Sequence, residues 1–105
     1  MRPKQKIYAT IEARMGSSRL PGKVLLEAAG KPFLVHMVER LRRAPSLEGI
    51  IIATSINAID DPIEKCAQKI GAECFRGSEK DVLGRVLGAA RAHSVDLIVE
   101  TTGDC

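Results

Sequence analysis

Residues 50–53 read Ile-Ile-Ile-Ala, a short apolar and mostly β-branched run with no polar residue alternating through it. A strand with one face in water alternates; an unbroken run of this kind fits a strand covered on both faces, as in parallel sheets flanked by helices. Parallel neighbours need long crossovers, usually helical, so the rest of the chain should alternate strands with helices. Lys6 to Glu12 sets Ile7, Ala9 and Ile11 on one face of a strand. Ala29-Gly30-Lys31-Pro32 is a turn, and from Pro32 to Arg43 the residues Phe33, Leu34, Met37, Val38 and Leu41 recur at helical spacing. Thr54 to Asp60 reads as a polar loop. Asp61-Pro62 then suits an N-cap with proline at the first helical position, and Ile63, Cys66, Ala67 and Ile70 keep the helical period up to Gly71. Ala72 to Phe75 is a third short strand. Ser78-Glu79-Lys80-Asp81 has the capping-box pattern before a helix whose buried stripe is Val82, Leu83, Val86, Leu87 and Ala90. Gly84 and Gly88 weaken that helix but allow close packing. Val95 to Glu100 is the fourth strand.

This order predicts an α/β fold: a mostly parallel sheet between two helical layers, with right-handed crossovers. In 105 residues it is one domain at most and could be less than one. Hydrophobic residues make up 45% of the chain but aromatics only 3%, so the core must be built from Ile, Leu, Val and Ala.

The stretch with the most chemistry is Ala13 to Lys23, A-R-M-G-S-S-R-L-P-G-K. It follows the first strand and carries Arg14, Arg19 and Lys23 with no carboxylate. Gly16 and Gly22 let the backbone turn and approach a ligand, and Ser17 and Ser18 add hydroxyls. Backbone N–H groups curved into a nest, with fixed cations around them, are what a polyphosphate needs. The stretch is not a Walker A loop, because five residues separate its glycines and Val24 follows Lys23. Val24-Leu25-Leu26 reads as extended, so no helix is expected to open at Lys23. A solvated basic turn would have the same composition.

In open α/β sheets ligands bind beyond the carboxyl ends of the strands, where strand order reverses. In the order 3-2-1-4 the first and fourth strands are neighbours, which sets the cationic loop beside Asp104. A carboxylate there suits a hard cation that bridges phosphate oxygens; a turn aspartate after Gly103 is the plainer alternative. Ala53-Thr54-Ser55 and Arg76-Gly77-Ser78 are read as loops at the same end, either holding a base and ribose or simply polar.

Several classes of function are disfavoured. A net charge of +3 without an aromatic basic patch does not describe a nucleic-acid binder. Cys66, Cys74 and Cys105 are odd in number and lack C-x-x-C spacing, so neither a disulfide framework nor a zinc site follows. Cys66 lies on a helical apolar stripe and reads as a core thiol. His36 reads as a flank histidine. No signal-peptide core or membrane-spanning run is present, which predicts a soluble, cytoplasmic chain that does not bind membranes.

The run I-E-A-R-M-G-S-S-R-L-P-G-K-V-L-L-E-A-A-G-K-P resembles the opening motif of the cytidylyltransferases that make CMP-activated acidic sugars, among them the CMP-ketodeoxyoctonate and CMP-acylneuraminate synthetases. It looks closest to the spore coat polysaccharide biosynthesis branch. The segments I-I-A-T-S, D-D-P-I, F-R-G-S-E-K-D-V-L-G-R and T-G-D-C occur in family order, so the likeness covers nearly the whole chain from Lys6. It implies a nucleotide-diphospho-sugar transferase-like fold, here incomplete, with residues 1–105 as the N-terminal, nucleotide-binding part of one domain. It implies that Arg14, Gly16, Ser17 and Lys23 hold the CTP phosphates with Arg19 assisting, and that Arg14 and Lys23 serve catalysis. By the same likeness Thr54, Ser55 and Arg76 lie against cytosine and ribose, and Asp104 binds Mg2+. The partners implied are CTP and an acidic sugar, in a homodimer. Similar members usually carry Asp where this chain has Gly84, and are about twice as long. The region after Asp104 would then supply the sugar pocket, a further metal carboxylate and the dimer contacts. This chain alone is expected to be inactive, and marginally stable or self-associated, with Ile50 to Ala53 and Leu97 to Val99 lacking cover on one side.

Overall fold

The computed structural model describes residues 6–16, 22–78 and 80–102, the side chains of Leu97 and Thr102 excepted. The main strands are β1 (Ile7–Glu12), β4 (Gly49–Ser55), β5 (Glu73–Gly77) and β6 (Leu97–Thr102); β2 (Glu27–Ala28) and β3 (Lys31–Pro32) form a small hairpin. The helices are α1 (Phe33–Arg42), α2 (Asp61–Lys69) and α3 (Val82–Ala92). The main sheet has four parallel strands in the order β5-β4-β1-β6, the 3-2-1-4 arrangement expected of the chain. Its registers pair Ile11 with Ile52 on one side and with Thr101 on the other.

Alternation sorts the sheet into two faces. Ala9, Ile11, Ile50 and Ile52 point toward α1 and α2, where they join Leu34, Val38, Ile63 and Ala67 in the main core cluster. Ile51 and Ala53, also fully buried, point the other way toward Val86 and Ala89 of α3. The run from Ile50 to Ala53 is therefore covered on both faces within these residues, and the expectation that it lacks cover on one side does not hold. β6 does form an edge of the sheet, and Val99 on it is 44% exposed.

Boundaries shift in ways that matter for the site. Val24-Leu25-Leu26 is not an extended piece: residues Lys23–Leu25 make a 3-10 turn entered from Gly22, and Leu26 then leads into the hairpin. Ala29 and Gly30, both at positive φ, form the two-residue hairpin connection, a geometry that matches the strand twist. Pro32 precedes α1 instead of lying in its first turn. Thr54 and Ser55 continue β4, and Arg76 and Gly77 continue β5, so neither pair lies in a loop. A second 3-10 turn, Ala58–Asp60, precedes α2 and makes Asp61 its first helical residue instead of its cap.

α3 departs most from expectation. Asp81, not Ser78, caps it, accepting from the Gly84 N–H at 2.9 Å. Its buried side is Arg85, Val86 and Ala89, while Val82, Leu83 and Leu87 are exposed. The glycines explain the rotation. A Cβ on Gly88 would come within 2.5 Å of the Phe75 ring, and one on Gly77 within 2.9 Å of the Arg85 side chain. The helix thus lies on β5 through its small residues, with Arg85 inserted beside them. An Asp at position 84 would bring its Cβ to 2.4 Å from the Asp81 carboxylate and force the cap to move.

Candidate functional site

β1 is central, and the chain crosses from β5 on one side of it to β6 on the other. The reversal point is therefore the crevice beyond the carboxyl ends of β1 and β6. The cationic loop leaves β1 at this point. Ala13 extends the pairing, donating to the Ala53 carbonyl at 3.0 Å. Arg14 is half-buried, and its charge is close enough to Glu12 to favour that carboxylate. Met15 is fixed twice. Its N–H donates to Asp60 Oδ1 at 2.8 Å, and its carbonyl accepts from the Gly22 N–H at 2.7 Å. The second bond closes the loop, bringing Gly16 and Gly22 to the two sides of one mouth.

Gly22 turns at φ +77° and hands the chain to the 3-10 turn, in which the Leu25 N–H donates to the Gly22 carbonyl at 3.0 Å. Lys23, half-buried, holds its ammonium 5.7 Å from the centre of the Phe33 ring. An aromatic face favours a cation there while leaving its hydrogen-bond donors available. Gly16 is exposed, with open space where a Cβ would be. The two glycines therefore separate cleanly. Gly22→Ala strains a left-handed backbone and should cost about 1–2 kcal/mol, while Gly16→Ala should leave the melting temperature within about a degree. Equal melting shifts in a thermal scan would contradict this division.

Ser17, Arg19 and Asp104 lie outside the described residues. Thr54 and Ser55 are fully buried at the end of β4. The Ser55 hydroxyl donates to Asp60 Oδ2 and accepts from the Asn57 N–H at 3.1 Å. Arg76 is paired with Asp61 at 2.8 Å and Glu64 at 3.2 Å, and it donates to the carbonyls of Ser55 at 2.7 Å and Asn57 at 2.8 Å. Its hydrogen bond to Asp61, the largest influence, raises its pKa further. Ser55 and Arg76 thus brace the segment after β4, and Ser55 joins the network that reaches Met15, while the buried Thr54 hydroxyl has no hydrogen-bond partner.

Three further participants, Asp60, Glu12 and Arg85, were not singled out from the sequence, although each lies inside a family-like segment. Asp60 stands before Asp61-Pro62, and nothing in that triplet says which acid turns inward. Glu12 and Arg85 form an ion pair at 2.6 Å with side chains only 8% and 2% exposed, and Arg85 also donates to the Ser78 carbonyl at 2.6 Å. This pair ties the end of β1 to α3. The Glu12 pKa is raised, with burial the largest cause and Arg85 opposing it. Among the described residues, burial pushes the Cys74 thiol up to about 11 and raises Cys66 as well, which disfavours their thiolates. His36 bonds through Nε2 to the Ala28 carbonyl, across the hairpin.

Among the described residues no group of three or more His, Cys, Asp or Glu side chains could hold a metal ion. Nor is any helix there long and apolar enough to cross a membrane.

The cytidylyltransferase family model matches residues 8–105, from the second residue of β1 through the loop, all three helices and the end of the chain. The chain belongs to the cytidylyltransferase family. Its similarity extends to the spore coat polysaccharide biosynthesis protein SpsF of Bacillus subtilis, 40% identical over an alignment of 102 residues that covers 93% of this chain and 42% of SpsF. A cytidylyltransferase structure from Leptospira borgpetersenii superposes with a TM-score of 0.90 at 42% identity, over 96% of this chain and 42% of that one. The structure of CMP:2-keto-3-deoxy-manno-octonic acid synthetase complexed with CTP superposes with a TM-score of 0.78 at 27% identity, over 94% and 40% of the two chains. This cytidylyltransferase chain spans about two fifths of the length of these relatives. The α/β fold expected from the strand order is the fold of these structures.

Proposed function

We propose that the full-length protein transfers the cytidylyl group of CTP to an acidic sugar, releasing pyrophosphate, and that residues 1–105 are the nucleotide-binding part of its domain. The observation that carries this reading is the closed cationic loop at the β1–β6 crevice, pinned at Met15 and leading directly into Lys23. A CTP complex in one relative and the polysaccharide role in the name of another support it.

In this reading Arg14 and Lys23 take the triphosphate, with N–H groups from Gly16 onward and with Ser17 and Arg19. A sugar hydroxyl attacks the α-phosphorus, the bond to the β-phosphate oxygen breaks, and pyrophosphate leaves with the electron pair. Such transfers depend mainly on positioning and on neutralising charge that builds up on phosphate oxygens. Arg14 and Lys23 do the second; the fixed mouth of the loop does the first. Thr54, Ser55 and Arg76 serve the nucleoside by shaping the end of β4 beneath it. Magnesium, held by Asp104, would neutralise phosphate charge; the described residues supply no other ligand set for it. No side chain is assigned as general base. The enzyme works in the cytoplasm on soluble substrates, as a homodimer formed outside this chain.

The test is pyrophosphate release by the full-length protein, offered CTP, UTP, GTP or ATP with acidic and neutral sugars, with and without magnesium. Release confined to CTP with an acidic sugar and lost on chelation is expected. Turnover of another nucleotide in preference to CTP would contradict the reading.

A further inference from the structure

We infer that Asp60 is a positioning residue for the phosphate loop, setting where that loop leaves the sheet. The inference rests on the triphosphate reading of the loop. Asp60 is 2% exposed, beneath the carboxyl ends of β1 and β4. One carboxylate oxygen receives the Met15 N–H at 2.8 Å; the other receives the Ser55 hydroxyl. Met15 in turn accepts from Gly22 at 2.7 Å across the mouth of the loop. Both backbone polar groups of Met15 are thus committed, one to Asp60 and one to Gly22. The first is held by a side chain 45 positions away in sequence.

Two features show that this contact is more than routine end-capping. Asp60 stands immediately before α2, where an acid ordinarily accepts from the helix's first N–H groups. It makes no such bond, and its carboxylate turns toward the loop instead. The Met15 N–H, being occupied, also does not face a ligand, so the donors available to an anion start at Gly16. A loop released from Asp60 could rotate Met15 and present its N–H groups in many directions. Ordering them would then fall to the ligand, and affinity would drop accordingly.

Charge and geometry predict opposite signs here. A carboxylate close to a triphosphate repels it, so removing the carboxylate should tighten binding if charge were its main effect. If positioning is its main effect, removal should weaken binding. The full-length protein is titrated with CTP by calorimetry, and exchange of the Met15 amide with deuterium is followed by NMR. Asp60→Ala should bind CTP about tenfold or more weakly, as expected for loss of hydrogen bonds to a charged group, and its Met15 amide should lose protection. Asp60→Asn keeps an acceptor for the Met15 N–H and should restore binding to within about threefold. Ile63→Val, a core truncation, should lower the melting temperature without changing affinity. Ser55→Ala removes one arm of the network and should weaken CTP binding relative to wild type; if Asp60→Ala does not fold, a Ser55→Ala protein that binds CTP as wild type does would overturn the positioning role.

A folded Asp60→Ala protein that binds CTP as well as or better than wild type would overturn the positioning role, as would a Met15 amide that stays protected. Failure of the wild-type protein to bind CTP at all would instead overturn the triphosphate reading, and with it the purpose assigned to Asp60.

Discussion

Arg85→Met should destabilise the fold by about 3–5 kcal/mol, the cost of leaving one member of a buried ion pair without its partner. Methionine keeps the apolar length of the side chain, so packing beside Gly77 and Phe75 is largely retained and the lost charge dominates. Glu12, its side chain only 8% exposed, then loses its ion-pair partner and keeps only the more distant charge of Arg14. One of its oxygens already has no hydrogen-bond partner, which leaves little reserve. A loss of this size is a large part of the about 5–15 kcal/mol that holds a typical domain together.

The deficit should also depend on pH, in a direction that can be worked out. Burial is the largest influence on Glu12 and raises its pKa above 4.5; the hydrogen bond and then the charge of Arg85 pull it back. Without Arg85 the pKa must rise further. A carboxyl whose folded pKa exceeds its unfolded value holds its proton more tightly in the folded state. Stability therefore falls as pH climbs from about 4.5 through the folded pKa. The window is wider in the variant than in wild type. Urea melts should give a smaller gap between the two proteins at pH 5 than at pH 7.5. A gap that is constant, or largest at pH 5, would mean that Glu12 does not carry the effect.

The layering and strand order were legible because they follow from period and run length. The run from Ile50 to Ala53 reads as a strand with apolar residues on both faces, though its cover on the second face within this chain was not expected, and Ile63, Cys66, Ala67 and Ile70 keep the period of one helix side. The charges and glycines of the loop are visible residue by residue, but its closure between Met15 and Gly22 is not. What periodicity could not reach were contacts decided by three-dimensional approach. α3 rotates away from its own apolar stripe because Gly88 admits the Phe75 ring and Arg85 finds Glu12, a partner 73 positions distant. A charged residue was thereby buried while Leu83 was left 68% exposed, which no hydrophobic pattern predicts. Asp60 was hidden for a similar reason. Beside Asp61 and Pro62 it looks like part of a helix start, and only the path of the loop from β1 brings Met15 to it. Thr54 and Ser55 were placed at the right end of the sheet. The contact of Ser55 with Asp60, at the end of the 3-10 turn Ala58–Asp60, is one that residue type does not announce.

The claim that ties loop, fold and family together is that Lys23 holds the triphosphate, and CTP affinity of three full-length proteins tests it most directly. Lys23 is half-buried at the exit of the closed loop, its ammonium set against Phe33. Lys80 is an exposed lysine in the turn before α3, of the same charge and on the same chain. A charge-assisted hydrogen bond is worth about 1.5–3 kcal/mol, so Lys23→Ala should weaken CTP binding roughly tenfold to 150-fold. Lys80→Ala removes only a screened surface charge and should change affinity by less than about twofold. Calorimetric titration of wild type and the two variants, at one fixed salt concentration, gives the comparison. A large loss for Lys23→Ala alone is the predicted result; equal losses for the two lysines, or none for Lys23→Ala, would contradict the account.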